Sequence, residues 1–198
     1  MLRSPSTTCE ESALCGFIGA GGRTLAGEGA SEGTFADAAE FGELLINATS
    51  GKVSLEALGM AGAENMAGKV LVDVSNALEF GDEPPVIGVA PDDSVGERIQ
   101  AAFPDSRVVK ALNTMNASVM VAPGSLGEST NAFVCGNDDP AKAQVIELLE
   151  TFGWLSGDIV DLGDISAARG AELYVALWMR LMGALDTPAF NIRLVREA

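Results

Sequence analysis

The sequence contains no histidine among its 198 residues. Histidine is the commonest general base and metal ligand near neutral pH. Its absence therefore excludes Ser-His-Asp and Cys-His nucleophilic sites and argues against a zinc site. The three cysteines, Cys9, Cys15 and Cys135, are odd in number and form no CxxC pair. This usage indicates a reducing compartment and not a disulfide framework.

Basic residues are also scarce: 12 Lys and Arg stand against 28 Asp and Glu, which gives a formal net charge of −16. Binding to nucleic acid or to an anionic membrane requires a basic surface, so we expect neither partner. No stretch combines the length and apolarity of a membrane span. Glu10 and Glu11 stand where a signal peptide would carry its apolar core. We therefore expect a cytoplasmic protein.

Apolar residues make up 47% of the chain, which is enough for one globular domain with a sizeable core. Short runs rich in Val, Ile and Leu alternate with segments of helical spacing. Runs of this kind are typical of parallel strands buried on both faces. The alternation predicts the α/β class, with a Rossmann-like, doubly wound, mostly parallel sheet.

Three of the predicted strands, at 43–48, 69–75 and 107–112, lead into asparagines, namely Asn47, Asn76 and Asn113. Open parallel sheets bind ligands in the crevice beyond the carboxyl ends of their strands. An amide at that edge can donate and accept hydrogen bonds without carrying charge. The three amides therefore suggest a site for a polar ligand such as a nucleotide. The alternative is that asparagine simply suits the turns that follow strands.

The remaining predicted elements are defined by spacing and by turn residues. Ser94, with Glu97 three residues later, predicts a capping box before a helix, and three prolines predict a loop over 79–91. The broad apolar face of the segment 165–185 predicts a very buried helix or a subunit interface, and with the latter a homodimer. The other predictions are helices at 54–61 and 139–152, strands at 131–135 and 158–162, and a final edge strand at 190–195.

A glycine-rich stretch near the start resembles a dinucleotide-binding loop only in part. Gly19 and Gly21 form the GxG of a GxGxxG motif, and residues 13–18 predict the preceding strand. The third glycine, Gly22, comes too early, and the expected helix is interrupted by further glycines. A flexible linker is an equally good interpretation. We therefore divide the chain into an atypical segment, 1–33, with an incomplete first βαβ unit, and a Rossmann-like domain, 34–198.

Four ordered strings carry a family resemblance: GKVLVDVSNAL from Gly68, RVVKALNTMN from Arg107, DLGDISAARG from Asp161 and PAFNIR from Pro188. Over about Thr34 to Arg196 the chain resembles the predicted dinucleotide-binding oxidoreductases. That family includes the NADPH-dependent reductases of the deazaflavin coenzyme F420. It is related to the cytosolic reductase domain of the membrane ferric reductases.

The resemblance implies a domain that binds NADP(H) and passes hydride to or from F420 or a flavin-like partner. It implies a pyrophosphate and ribose site at Asn47, Ala48 and Thr49, a nicotinamide site at Ser75, Asn76 and Ala77, a crevice wall at Asn113 and Thr114, and a second-substrate site at Met115 and Asn116. The chain lacks, in the matching place, the Ser-Arg or Thr-Arg pair with which the family takes the 2′-phosphate. The sequence therefore does not decide between NADP and NAD.

Hydride transfer between two bound rings needs mostly proximity and orientation, so no catalytic acid or base is assigned. Lys110 either contacts a phosphate or acidic substrate, or reaches solvent or pairs with an acid. Asp73 is interpreted as a paired structural carboxylate. Asp161, Asp164 and Arg169 are expected to form a local cap and ion pair. Two other functions stay open: a degenerate nucleotide-binding or regulatory protein without turnover, and a structural partner subunit.

Overall fold

The computed structural model describes residues 32–79 and 86–197. Its α-helices are α1 (Phe35–Phe41), α2 (Ser54–Ala61), α3 (Ala63–Met66), α4 (Val95–Ala102), α5 (Ala117–Met120), α6 (Asp139–Thr151) and α7 (Ala168–Leu185). Its strands are β1 (Leu44–Asn47), β2 (Val70–Asp73), β3 (Leu78–Glu79), β4 (Val86–Ile87), β5 (Arg107–Ala111), β6 (Ala132–Gly136) and β7 (Ile159–Asp161). Short 3-10 helices lie at Pro123–Leu126, Ser156–Asp158 and Ile165–Ala167. The predicted α/β class is confirmed.

Five strands form the main sheet in the order β1-β2-β5-β6-β7. The pairs β1–β2, β2–β5 and β6–β7 are parallel, whereas β5–β6 is antiparallel. The mostly parallel sheet is confirmed; the reversal at β6 was not predicted. Because β1, β2 and β5 run in one direction, their carboxyl ends meet at one edge of the sheet. The residues that follow these strands are thereby brought together.

Two apolar clusters cover the two faces of this sheet. One contains Phe35, Ile99 and Ala168, from α1, α4 and α7. The other contains Val145 and Leu149 of α6, together with residues of α5. Successive residues of a strand point to opposite faces; in β5, accordingly, Val108 belongs to the first cluster and Val109 to the second. Helices on both faces make the sheet doubly wound, as predicted.

The helix boundaries follow from local sequence. The predicted helix 54–61 coincides with α2, whose C-cap is Gly62 with φ of +86°. Ser94 Oγ caps α4 by accepting from the backbone N–H of Glu97 at 3.1 Å. The predicted capping box is nevertheless incomplete. The Glu97 carboxylate accepts from Ser94 Oγ at 2.8 Å and binds the Arg169 guanidinium, instead of returning to the backbone of the cap.

Two sequence predictions on irregular segments were wrong. The predicted loop 79–91 includes residues of β3 and β4, which pair antiparallel with Leu78 opposite Ile87. The predicted edge strand 190–195 is irregular backbone. It lies against Asn131, whose backbone N–H donates to the Ile192 carbonyl at 2.9 Å and whose Oδ1 accepts from the Leu194 N–H at 2.7 Å. One backbone hydrogen bond and one bond to a side chain therefore stand in place of a regular ladder.

Helix α7 is buried at its beginning and exposed towards its end. Ala168, Ala171 and Val175 are buried, but Leu177 and Leu185 are 55% and 54% exposed. Trp178 stacks on Phe190 with ring centroids 5.4 Å apart. The expectation of a wholly buried helix fails, which leaves the predicted subunit interface as the alternative. None of the helices in the described ranges is long and apolar enough to cross a membrane.

The predicted strand 13–18 and the loop residues Gly19, Gly21 and Gly22 lie outside the described residues. The division of the chain at residue 33 stays a prediction.

Candidate functional site

The three predicted asparagines lie at the shared carboxyl edge of β1, β2 and β5, in two hydrogen-bonded groups. Asn76 Nδ2 donates to the Asn113 carbonyl at 2.8 Å, and Asn113 Nδ2 donates back to Asn76 Oδ1 at 3.0 Å. Asn113 Nδ2 also donates to the Ala171 carbonyl of α7 at 3.0 Å. This reciprocal amide pair joins the loops after β2 and β5 and attaches them to α7.

The second group is centred on Asn47, whose side chain is buried. Its Nδ2 donates to Asp73 Oδ1 at 2.8 Å and to Ser54 Oγ at 3.0 Å. Its Oδ1 accepts from the Thr49 N–H at 3.3 Å and from Thr49 Oγ1 at 2.7 Å. The Asn47 amide is therefore engaged by the protein itself. It shapes the loop of Ala48 and Thr49, which stay half-buried beside it.

The loops after β1 and β2 touch each other through backbone atoms. The Gly51 N–H donates to the Asn76 carbonyl at 3.0 Å. A Cβ on Gly51 would lie 2.6 Å from the Ala77 backbone nitrogen and 2.7 Å from the Asn76 carbonyl carbon. Glycine is therefore required here by close approach, since any side chain would separate the two loops at this edge of the sheet.

The predicted second-substrate residues occupy structural positions. Met115 is buried in the second core cluster. Asn116 caps α5, with its Oδ1 accepting from the Ser118 N–H at 3.0 Å and from Ser118 Oγ at 2.8 Å. Their assignment to the second substrate stays a prediction.

Two hydroxyls at this edge are unsatisfied. Among the residues that the structure describes, Ser75 Oγ and Thr114 Oγ1 are buried side-chain atoms without a hydrogen-bond partner. A buried hydroxyl that makes no hydrogen bond costs free energy, and such groups are uncommon in native proteins. Ser75 follows β2 and Thr114 follows β5, so both lie at neighbouring strand ends. Each can donate and accept one or more hydrogen bonds from a polar ligand.

The backbone before Thr114 is strained. Leu112 has φ of 61°, in the left-handed region that non-glycine residues rarely occupy. This conformation costs about 1–2 kcal/mol for an L-residue with a Cβ. Strain of this kind persists only where the surrounding contacts impose it, and it concentrates at functional sites. Here the hydrogen bonds of Asn113 to Asn76 and Ala171 fix the turn.

A buried ion network, formed by Asp73, Lys110 and Glu172, lies at the same edge. Lys110 Nζ is 2.8 Å from Asp73 Oδ2, 2.8 Å from Glu172 Oε1 and 2.6 Å from the Ser75 carbonyl oxygen. All three side chains are at most 1% exposed. Burial disfavours the Lys110 ammonium, but Asp73 and Glu172 outweigh that effect and raise its pKa. Lys110 thus pairs with acids, and Asp73 is a structural carboxylate, as one alternative predicted.

Sequence reasoning missed Glu172. Its Oε2 accepts from the Val95 N–H at 2.9 Å and its Oε1 from the Gly96 N–H at 3.1 Å, so it also binds the N-terminus of α4. The available signal was an acidic residue within the apolar repeat of 165–185, which predicts a buried partner of opposite charge.

The predicted local cluster of Asp161, Asp164 and Arg169 is wrong in part. Asp164 does cap, accepting from the Ser166 N–H at 2.9 Å. Arg169 instead forms a two-pronged ion pair with Glu97, at 2.8 and 2.6 Å, and the carboxylate of Asp161 binds Lys142 at 2.8 Å. Hydrogen bonding to Arg169 lowers the pKa of Glu97. The partner of Arg169 is 72 residues away, beyond the reach of local pattern.

A cavity of about 350 Å³ lies elsewhere, beside Ala63–Ala67 and Phe103–Ser106. Both segments precede strands, β2 and β5, so the cavity is at the amino end of the sheet. It is opposite the crevice edge and contains none of the predicted site residues.

The sheet order, the helices on both faces and the polar residues at the carboxyl edge define a Rossmann-like α/β protein. No protein-family model matches the sequence. The crystal structure of a putative F420-dependent NADP reductase from Arthrobacter sp. FB24 is 52% identical, with a TM-score of 0.79, over 82% of this chain and 73% of that chain. The chain belongs to the F420-dependent NADP reductase-like family of oxidoreductases.

Curated relatives show the same relationship at lower identity. F420-dependent NADP reductase of Methanocaldococcus jannaschii is 28% identical over 160 residues, which are 80% of this chain and 70% of that protein. Metalloreductase STEAP2 of Homo sapiens is 33% identical over 107 residues, or 54% of this chain. The match spans only 19% of that metalloreductase.

Proposed function

We propose that this chain is an NADP(H)-dependent oxidoreductase that transfers hydride between nicotinamide and F420 or a flavin-like acceptor. Family membership supports an oxidoreductase that uses NADP, and the acceptor is proposed from the activity for which the relatives are named. The observation that carries the proposal is the pair of buried hydroxyls, Ser75 Oγ and Thr114 Oγ1, without partners in the described part of the chain. They lie where the family resemblance implies the nicotinamide site and the crevice wall.

The uncharged hydroxyl and amide groups of these residues suit a polar ring such as nicotinamide. When bound, the nicotinamide supplies or accepts the hydride. Ser75, Asn76 and Thr114 would hold it through hydroxyl and amide groups, with Ala77 beside them. Asn47, Ala48 and Thr49 would border the adjoining ribose and pyrophosphate, together with Gly19, Gly21 and Gly22. Met115 and Asn116 would border the second substrate.

The charged groups at this edge are buried and paired with each other, which supports direct hydride transfer without acid–base catalysis. Lys110 is protonated, since Asp73 and Glu172 raise its pKa, and its ammonium contacts three protein oxygens. The two carboxylates are engaged by the lysine and by backbone N–H groups. The protein's contribution is then to bring two rings together in a fixed orientation.

The decisive experiment is calorimetric titration with NADPH and, separately, NADH, followed by NADPH oxidation with F420 or a flavin as acceptor. We expect NADPH binding and turnover in the wild type. Asn76→Leu should weaken NADPH binding about tenfold or more, equivalent to about 1.4 kcal/mol, because the half-buried amide is lost. Circular dichroism should show that the variant stays folded.

Asn65→Leu is the matched control. Asn65 is also half-buried, but it lies in α3 at the amino end of the sheet, where its Nδ2 donates to the Ala61 carbonyl at 2.8 Å. Unchanged NADPH affinity in folded Asn76→Leu would contradict the assigned cofactor site. Wild-type binding without turnover would instead indicate a nucleotide-binding or regulatory protein. The absence of binding to either nucleotide would overturn the proposal.

We also propose that a second copy of the chain packs on the exposed half of α7. Leu177, Met182 and Leu185 are exposed there. Residues 173–185 include Arg180 and no acidic residue, in a chain of net charge −16. Two copies can therefore approach along this face without the repulsion that acts over the rest of their surface. A self-complementary contact of this kind gives a closed dimer.

Leu177→Glu should convert a dimer to a monomer, because it places two like charges in the apolar contact. Sedimentation equilibrium measures the mass. Leu155→Glu, which changes a leucine of similar exposure before the 3-10 helix at Ser156–Asp158, should leave the dimer intact. A monomeric wild type, or a Leu177→Glu variant that stays dimeric, would refute this interface.

A further inference from the structure

The ion network of Asp73, Lys110 and Glu172 holds both backbone polar groups of Ser75. The Ser75 N–H donates to Asp73 Oδ1 at 3.1 Å, and its carbonyl accepts from Lys110 Nζ at 2.6 Å. The peptide on each side of this residue is thereby fixed by a buried charge. The Ser75 side chain, which has no hydrogen-bond partner among the described residues, takes its direction from this backbone.

The same network reaches the loop after β1. Asp73 Oδ1 also accepts from Asn47 Nδ2, and Asn47 Oδ1 in turn binds the backbone and hydroxyl of Thr49. One carboxylate therefore sets the positions of Thr49 and Ser75, the two polar residues on either side of the Gly51 contact. On the other side, Glu172 ties Lys110 to the first turn of α4 and to α7.

Stability alone does not account for this arrangement. A buried ion pair is costly to desolvate, and apolar residues of similar volume often stabilise a core as well or better. The ammonium, unlike an apolar side chain, also fixes the positions of its neighbours, because its three N–H donors bind three defined oxygens. A buried, fully satisfied polar network can specify one geometry of the groups that it joins.

From this geometry we infer that Asp73, Lys110 and Glu172 are positioning residues for hydride transfer. They fix the Ser75 turn, and through Asn47 the Thr49 loop, and so set the face and angle that the nicotinamide presents to the acceptor. None of the three reacts or touches the transferred hydride. The inference rests on the proposed function, since it assigns these residues to that same crevice.

The test is a charge-free variant, Asp73→Asn with Lys110→Met and Glu172→Gln, which keeps side-chain volume and removes all three charges. Turnover is measured with NADPH that carries deuterium on one face of the nicotinamide C4. We expect a fold stable enough to assay, kcat lowered about 100-fold, NADPH KM changed much less, and partial loss of the facial selectivity of deuterium transfer. A merely structural role would not alter that selectivity.

Lys110→Arg is the second variant, because it keeps the compensating charge but replaces the compact ammonium with a larger, planar guanidinium of different donor geometry. It should show the same loss of selectivity, so the inference can be tested even if the charge-free variant does not fold. Glu97→Gln with Arg169→Met is the control: it removes an ion pair between the same two helices, α4 and α7, outside the network. Its kcat and selectivity should equal those of the wild type.

The outcomes separate the two proposals. Wild-type turnover with kcat and selectivity unchanged in a folded charge-free variant or in Lys110→Arg would overturn the positioning role and leave the proposed function standing. A wild type without NADPH turnover would overturn the proposed function, and this inference with it.

Discussion

Replacing Lys110 alone by methionine should lower the free energy of unfolding by about 3–5 kcal/mol, measured by urea denaturation near neutral pH. The change leaves the Asp73 and Glu172 carboxylates buried side by side without their cation. The remaining hydrogen bonds, from Asn47, Ser75, Val95 and Gly96, do not neutralise two like charges. The loss is therefore larger than that of an ordinary polar substitution.

Lys52→Met is the control for that result. The Lys52 side chain is 53% exposed and lies 3.8 Å from Glu79, so its removal should change the unfolding free energy by less than about 0.5 kcal/mol. Equal effects of the two substitutions would show that the buried ion network stabilises the fold no more than an exposed ion pair does.

The pH dependence of the wild-type unfolding free energy should also reflect this stabilisation by Lys110. Burial disfavours the Lys110 ammonium, yet its two carboxylates raise the pKa in the folded state. An unfolded lysine titrates near pH 10.4. The stabilisation is thus fully present below that value and is lost as pH rises above it, through the folded-state pKa. In Lys110→Met this contribution to the alkaline loss should disappear.

Gly51→Ala should destabilise the fold by about 1–3 kcal/mol and weaken NADPH binding. The added methyl would lie 2.6 Å from the Ala77 nitrogen and 2.9 Å from the Asn76 carbonyl oxygen, and backbone atoms cannot rotate away as a flexible side chain does. The loop after β1 must therefore move off the Ser75–Ala77 turn. Urea denaturation and NADPH calorimetry measure the two effects.

Gly59→Ala is the matched control in the same region. Gly59 lies inside α2, and beyond its chain neighbours and the adjacent backbone of its own helix, its added methyl would meet no atom of the described residues within 4 Å. In a helix interior alanine is more stable than glycine, so this variant should be stabilised by about 0.5–1 kcal/mol. If Gly51→Ala were equally stable and bound NADPH as tightly as the wild type, the loop contact would have no role in the crevice.

The sequence correctly predicted the elements that are specified by residues close together in the chain. Helix α2 was placed with both ends, since its apolar spacing and Gly62 are contiguous in the chain. The carboxyl edge was also predictable, because β1, β2 and β5 each contain apolar residues that lead into a polar turn, although the apolar residues of β1 are only half-buried or exposed. These signals depend only on residues a few positions apart.

The sequence predictions failed where the local structure depends on residues that are far apart in the chain. The apolar run of β6 carries no sign of its direction, and the two-residue strands β3 and β4 are too short to show a period. Glu97 was diverted from its capping role by Arg169. The partner of Lys110 on α7, Glu172, is 62 positions further along the chain. In each case the competing interaction is tertiary.

Helix α7 connects the polar edge of the sheet to an exposed apolar surface. At one end, the Ala171 carbonyl and the Glu172 carboxylate hold the amide pair and the ion network. At the other end lie Leu177 to Leu185, the proposed contact with a second copy. Fourteen residues of helix span about 21 Å, which is the distance that separates the two surfaces. If a second copy packs on the outer end, this helix joins the subunit contact to the carboxyl edge of the sheet. By reciprocity, ligand binding at that edge and subunit association should then alter each other's free energy.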